Sequence, residues 1–283
     1  MRKTIAAFVS LGVLALIAGC GGGGGSGGAS VSNMAATPTS YGRTAIWTVS
    51  GLNLDTGIIF RITSGSCDNV TEVSGGTATQ RQFTCLPSSL GDLVGEVADS
   101  GGKELANLKV TIPVARVRLT LPQGIIDLEL DPQKAPITVN NFLSYVNGNF
   151  YNNTIFHRVI TGFVIQGGGY TPGTPDPVIK NPPLPPIALE SNNGLLNLRG
   201  SLAMARTSEP NSATSQFYFN VVDNPALNYK SDTDPGYAVF GKVVAGLDVV
   251  DAISMVPTRD ASELGLPNLP VTDVVVTTAR QIQ

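Results

Sequence analysis

The chain is poor in the side chains that most enzymes use. Its 283 residues hold a single histidine, His157, so a hydrolytic triad has no second imidazole to draw on. Three cysteines, Cys20, Cys67 and Cys85, have no third or fourth ligand near any pair of them, which argues against a closed metal site; no metal and no cofactor are expected. Charged residues make up 14%, well under the roughly 25% of an ordinary soluble protein. Lys and Arg number 18 against 21 Asp and Glu, with no basic cluster, so nucleic acid is not an expected partner. What is plentiful is turn chemistry. The 32 glycines and 19 prolines favour many short strands over a helical bundle, and the length suits one large domain or two of ordinary size.

The N-terminus reads as a targeting segment. Arg2 and Lys3 form a positive start, and Ile5 to Ala18 is an apolar run too short to span a membrane comfortably. It ends in Leu16-Ile17-Ala18-Gly19-Cys20, which resembles a bacterial lipobox. That resemblance implies a signal peptide over residues 1–19 and lipidation of Cys20, hence a membrane anchor. Gly21, in place of Asp, resembles outer-membrane sorting; the expected location is the bacterial cell envelope, at the outer membrane facing the periplasm. Several acyl chains together anchor stably where one does not. A cleaved signal with an incidental cysteine is the plainer alternative. With Cys20 lipidated, Cys67 and Cys85 remain as a disulfide pair in an oxidising compartment, worth roughly 3 kcal/mol for a loop of that size. Residues 20–32 are then the lipidated cysteine and a flexible Gly/Ser tether.

From residue 33 to 113 short strands alternate with turns. Thr44–Val49, Ile58–Ile62, Gln80–Cys85, Leu93–Ala98 and Leu105–Ile112 read as strands at the spacing of a small β-sandwich. The stretch loosely resembles the immunoglobulin-like modules of bacterial surface proteins and carries no catalytic motif.

After Pro113 the character changes. Arg116–Leu121 and Ile126–Leu130 alternate around a Pro122-Gln123-Gly124 turn, as a hairpin does. Pro136 and Thr138 open a helix with Val139, Phe142, Leu143 and Val146 on one stripe and Gly148 past its end. A second helix, Leu247 to Met255, turns Val249, Val250 and Ile253 inward. Between and after them, Leu202–Arg206, Gln216–Val222, Val239–Val243 and Val274–Thr278 read as buried strands, with a proline-dense excursion over Thr171–Pro186. Many antiparallel strands with two isolated helices suggest a mainly β fold, a closed barrel capped at its ends.

Four motifs stand in this half: Phe156-His157-Arg158-Val159-Ile160 running to Gln166-Gly167-Gly168, Gly200 to Arg206, Ser212 to Asn220, and Tyr237 to Val243. In this order, over residues 114–283, they resemble the cyclophilin family, most closely its bacterial periplasmic branch. The resemblance implies an eight-stranded antiparallel barrel with two capping helices, and peptidyl-prolyl cis-trans isomerase activity on X-Pro-containing polypeptides. It puts the catalytic arginine at Arg158 and the proline pocket at Phe163, Val164, Tyr218 and Leu227. It has Gln166, Gln216 and the backbone around Ala205 and Arg206 gripping the peptide, with Tyr237 at the rim.

The chemistry suits these residues. Amide resonance sets a barrier of about 18–20 kcal/mol to rotation, and no bond is broken, so neither nucleophile nor metal is required. Catalysis consists in favouring the twisted state, whose pyramidal nitrogen gains a lone pair; a fixed, permanently charged donor such as Arg158 fits that need. In an extended strand His157 points to the opposite face from Arg158, so it reads as framework. The sequence also departs from the best-known relatives. Val164 replaces a common methionine; Tyr218 replaces a phenylalanine and adds a hydroxyl that needs a partner or water; Ala226 replaces an aromatic ring, whose loss implies weak cyclosporin binding and an opened pocket wall. A monomer is expected. The rival readings are a non-catalytic scaffold or holdase gripping proline peptides in the same groove, and an adhesin led by the N-terminal module.

Overall fold

In the computed structural model, residues 15–16 and 27–283 are described. The expected lipidation site Cys20, and all of the expected signal peptide except the backbone of Ala15–Leu16, lie outside them. The chain divides into two compact units that meet in sequence at Pro113 and Val114.

In the first unit, Ser30–Thr37, Ala45–Leu52, Gln80–Pro87 and Cys67–Glu72 pair antiparallel in that order, with Ala15–Leu16 against the outer edge of Ser30–Thr37. Ile59–Ser64, Gly91–Ala98 and Glu104–Ile112 form a second sheet. Trp47, from the first sheet, is fully buried and lies 5.3 Å, ring to ring, from Phe60 of the second. Phe60 stacks on Phe83 at 4.8 Å. Gly95 leaves room for this cluster, because a Cβ there would fall 2.6 Å from the Trp47 ring. Cys67 and Cys85 form a disulfide with Cα atoms 5.5 Å apart. The strand Ser30–Thr37 begins inside the stretch expected to be tether. The Asn53 side chain donates to the Gly27 carbonyl at 2.9 Å, which holds the entering chain.

The second unit is built on one antiparallel sheet. Its strands are β1 (Arg116–Leu121), β2 (Gly124–Leu130), β3 (Thr154–Val159), β4 (Val164–Gly167), β5 (Ser201–Met204), β6 (Phe217–Asn220), β7 (Val239–Ala245), β8 (Val275–Val276) and β9 (Thr278–Gln281). They run in the order β8-β3-β4-β6-β5-β7-β2-β1-β9. β8 pairs with β3 at one edge and β9 with β1 at the other, so the C-terminal segment nearly closes the sheet into a barrel. The strands number nine where eight were expected, because this final segment is interrupted at Thr277 and serves two different neighbours.

Two helices accompany the barrel. α1 (Pro136–Asn147) buries Val139, Phe142, Leu143 and Val146, and Phe142 meets Phe217 edge-on at 5.5 Å inside the barrel. Ala135 offers no side-chain cap; the Glu190 carboxylate accepts instead from the Ile137 and Thr138 amides at 3.1 and 2.7 Å, satisfying donors that a helix start leaves free. α2 (Leu247–Ser254) buries Val250 and Ile253. A hairpin of Thr258–Ala261 and Leu266–Pro270, absent from the sequence reading, packs Leu266 and Leu269 on Ile155. Its prolines at 267 and 270 hide the strand pattern.

Candidate active site

Strand alternation decides what faces the site. On β6, Phe217 and Phe219 turn into the aromatic core with Phe156, which leaves Tyr218 and Asn220 on the opposite face. Register then carries this face across neighbouring strands. Arg158 lies opposite Gln166, Gln166 opposite Tyr218, Tyr218 opposite Ala203 and Ala203 opposite Val239. One row thus runs across β3, β4, β6, β5 and β7. Val164, Ala203, Tyr218 and Val239 form its buried apolar base, with Phe163, Ala205, Leu227 and Tyr237 packed at its margins.

Above this base is a cleft of about 240 Å³ lined by Arg158, Phe163, Val164, Gln166, Ala205, Arg206, Tyr218, Leu227 and Tyr237. Every residue expected there lines it except Gln216, which stands behind Gln166 and accepts from its amide at 2.9 Å. The lining holds two arginines and no carboxylate. Their situations differ. Arg206 donates to the Gly236 carbonyl through Nε and Nη2 at 3.0 and 2.8 Å, to Thr207 at 2.8 Å, and stacks 4.7 Å from the Tyr237 ring. Its guanidinium is committed to shaping the rim. Arg158 is half-buried and forms no ion pair among the described residues; its side-chain hydrogen bond there is a long 3.5 Å approach to Gln166 Oε1. Much of its donor fork is open to a ligand.

Phe163 reaches the cleft through a tight β3–β4 turn, its amide bonded to the Ile160 carbonyl at 3.0 Å and Gly162 at φ +70°. Leu227 comes from the short turn Pro225–Leu227. Ala226 sits exposed on that turn and does not line the cleft. Two of the three glycines after Gln166 also find their reason. Gly168 has φ +84°, and a Cβ on Gly169 would meet the Gln216 amide at 2.6 Å, so the backbone there yields to the amide pair behind Arg158.

His157 is 4% exposed, sits at a bulge between Phe156 and Arg158, and packs on Tyr170 with ring centroids 4.5 Å apart. Burial holds its pKa down at about 4, against weaker opposing effects of the Ile155 backbone and the Gln216 side chain. It is therefore neutral at neutral pH, one layer behind the cleft. Burial also pushes the Tyr218 hydroxyl's pKa well up. That hydroxyl donates to Asn197 Oδ1 at 2.8 Å, so it is engaged away from the apolar floor. Asn197, Asn220 and Asn224, buried behind the floor, did not stand out in the sequence. Their signal is asparagine inside or beside apolar runs, where an amide needs partners.

Residues 116–280 match the family described as cyclophilin type peptidyl-prolyl cis-trans isomerase/CLD. Peptidyl-prolyl cis-trans isomerase A of Dickeya dadantii is 50% identical over 167 residues, which cover 59% of this chain and 84% of that protein. An Acinetobacter baylyi peptidyl-prolyl cis-trans isomerase is 55% identical over 149 residues, 52% of this chain and 77% of the relative. For peptidyl-prolyl cis-trans isomerase B of Escherichia coli the figures are 55% over 137 residues, 48% and 81%. The matched span takes in more than half of the 283 residues and the whole of the cleft, and the chain belongs to the cyclophilin-type peptidyl-prolyl cis-trans isomerases, as an enzyme of that family.

Proposed function

We propose that this protein isomerises X-Pro bonds in polypeptides of the bacterial cell envelope, with Arg158 stabilising the twisted prolyl amide. The observation that carries the reading is Arg158, free of any carboxylate among the described residues, at the border of an apolar cleft floored by Val164 and Tyr218 and walled by Phe163 and Leu227. A proline ring fills the apolar part while the carbonyl side turns. As the amide twists, its nitrogen gains a lone pair that the planar ground state lacks, and a guanidinium N–H aimed there binds the twisted state more strongly than the planar one. Gln166, steadied by Gln216, and the backbone at Ala205 hold the flanking peptide. The envelope location rests on the lipobox-like sequence ending at Cys20, with residues 1–19 as signal peptide and the mature protein, a monomer, anchored at the outer membrane. The first unit, read as an immunoglobulin-like sandwich from its paired sheets and buried Trp47, lies between anchor and isomerase in the sequence and serves as a spacer or interaction module.

Exchange NMR on a short Ala-Pro peptide tests the reaction. Wild-type protein accelerates exchange, and Arg158→Ala removes most of that acceleration while leaving peptide binding measurable. A holdase would bind the peptide with no acceleration at all. The changes at Tyr218 and Ala226 keep the holdase reading open, and both carry less weight with the tyrosine hydroxyl donated to Asn197 and Ala226 outside the cleft lining. Metabolic labelling with a fatty acid, lost in Cys20→Ala, tests the anchor.

A further inference from the structure

Behind the floor of the cleft lies a group of asparagines that the isomerase chemistry above does not use. Asn197 is 1% exposed, on the loop leading into β5. Its Oδ1 accepts from the Tyr218 hydroxyl at 2.8 Å and from Asn220 Nδ2 at 3.1 Å. Its Nδ2 donates to the Leu227 carbonyl at 3.0 Å and to Asn228 Oδ1 at 3.2 Å. The full capacity of one amide, two acceptor and two donor positions, is therefore taken up. The backbone of the same residue adds two bonds, donating to Asn228 Oδ1 at 2.7 Å and accepting from the Asn224 amide at 2.8 Å. Asn224 in turn donates from Nδ2 to Asn220 Oδ1 at 2.7 Å and to the Phe163 carbonyl at 3.0 Å.

The partners at the outer ends of this network are the floor of the cleft, Tyr218, and two of its walls, Leu227 and Phe163. These three come from a strand, a single-turn helix and a hairpin turn; Phe163 is also held by the Val221 amide, which donates to its carbonyl at 3.0 Å just past the end of β6, whereas no ladder hydrogen bond ties Leu227 to Tyr218. A pocket shaped to one ring must have its walls held to within a fraction of an ångström, and a buried polar network with every member satisfied supplies that rigidity. The orientation of the Asn197 amide is dictated by chemistry: a carbonyl accepts only, so Leu227 O must face Nδ2, which leaves Oδ1 for the tyrosine. The hydroxyl is thereby drawn behind the floor, away from the ligand.

We propose that Asn197 is a positioning residue for the proline pocket, clamping Tyr218 and Leu227 at the spacing that receives the ring. This rests on the isomerase reading of the cleft. It acts on capture of the peptide and leaves the twisting step alone, because no bond of the network reaches Arg158.

The test separates those two quantities. Line-shape NMR on an Ala-Pro peptide gives its Kd and the exchange rate of the bound peptide independently. Asn197→Ala raises Kd on the order of tenfold, the equivalent of one buried hydrogen bond lost, and leaves bound-state exchange within about twofold. Asn228→Ala is the second variant. It removes one clamp on Asn197 from a partly exposed turn, so the barrel folds, and Kd rises about threefold, as for a partial loss of a buried polar contact. Asn228→Ala binding with wild-type affinity, together with Asn197→Ala where that variant folds, overturns the inference. So does a bound-state exchange rate that falls as far as binding does. Wild-type protein that binds the peptide without exchanging it overturns the isomerase reading and leaves the Kd comparison standing; wild-type protein that does not bind it overturns the pocket assignment and the clamp together.

Discussion

The sole histidine makes one prediction unusually clean. His157 is buried, and burial lowers its pKa from an ordinary 6.5 to about 4. The unfolded chain therefore takes up a proton between those values that the folded chain refuses. Stability rises with pH wherever the unfolded state binds more protons. The contribution is complete above pH 6.5, fades as pH falls through the window, and is gone below about 4. At 1.36 kcal/mol per pH unit, the difference amounts to about 3 kcal/mol, a large part of the margin of an ordinary domain. Asp127 and Glu129, held low by hydrogen bonds from Arg118 and Arg116 respectively, add acid lability of their own, so the histidine must be isolated by difference. His157→Gln does this. Urea unfolding of the barrel at a series of pH values, followed by methyl NMR, should lose about 3 kcal/mol more in wild type than in the variant between pH 6.5 and 4. The imidazole resonances, free of overlap in a protein with one histidine, should not titrate until pH approaches 4. A midpoint near 6.5, or equal slopes for the two proteins, refutes the argument from burial.

Other perturbations follow from the packing. Glu190→Ala removes the cap on α1, where the carboxylate receives two amides and the Thr138 hydroxyl; a loss of about 1–2 kcal/mol is expected in chemical denaturation. Cys67→Ser opens an 18-residue separation and lowers the stability of the first unit by about 3 kcal/mol, read from Trp47 fluorescence, with isomerase activity unchanged. Gly236→Ala places a Cβ at φ +60° within 2.5 Å of the Leu227 carbonyl. Left-handed backbone alone costs about 1–2 kcal/mol, and the displaced Gly236 carbonyl loosens Arg206, so weaker peptide binding is expected in the same NMR titration.

The cleft was legible in the sequence through the four family motifs, and strand geometry accounts for the part of it that lies on strands, Arg158, Val164, Gln166 and Tyr218. Arg158, Gln166 and Tyr218 occupy positions whose facing follows from period-two alternation, and register brings them into one row. Leu227, in a three-residue turn, and Phe163, Ala205, Arg206 and Tyr237, all outside the strands, rest on the resemblance with no strand pattern beside it. The asparagine network was not legible, since Asn197, Asn220 and Asn224 meet through loops whose paths no local pattern fixes. Tyr218 announced only that its hydroxyl needed a partner. His157 was read as framework from strand alternation and from the supporting place such a histidine has in the family; the bulge at that position and its contact with Tyr170 are the local reasons it sits where it does. The ninth strand was missed because one continuous apolar segment, Val274 to Thr278, changes neighbours at Thr277. The strand Ser30–Thr37 was hidden by its serines, which extend the look of the glycine tether past Ser30.

The central claim is that Arg158 lowers the barrier to prolyl rotation. Its most direct measurement is the bound-state exchange rate of an Ala-Pro peptide on wild-type, Arg158→Lys and Arg158→Ala proteins. Loss of a charged donor aimed at the twisted amide should slow exchange by roughly 100-fold or more, about 2.7 kcal/mol of barrier. Lysine should restore only part of it, because a point charge on a flexible stem does not reproduce the planar fork. Peptide Kd should move far less than the rate. Exchange on Arg158→Ala as fast as on wild type would contradict the account.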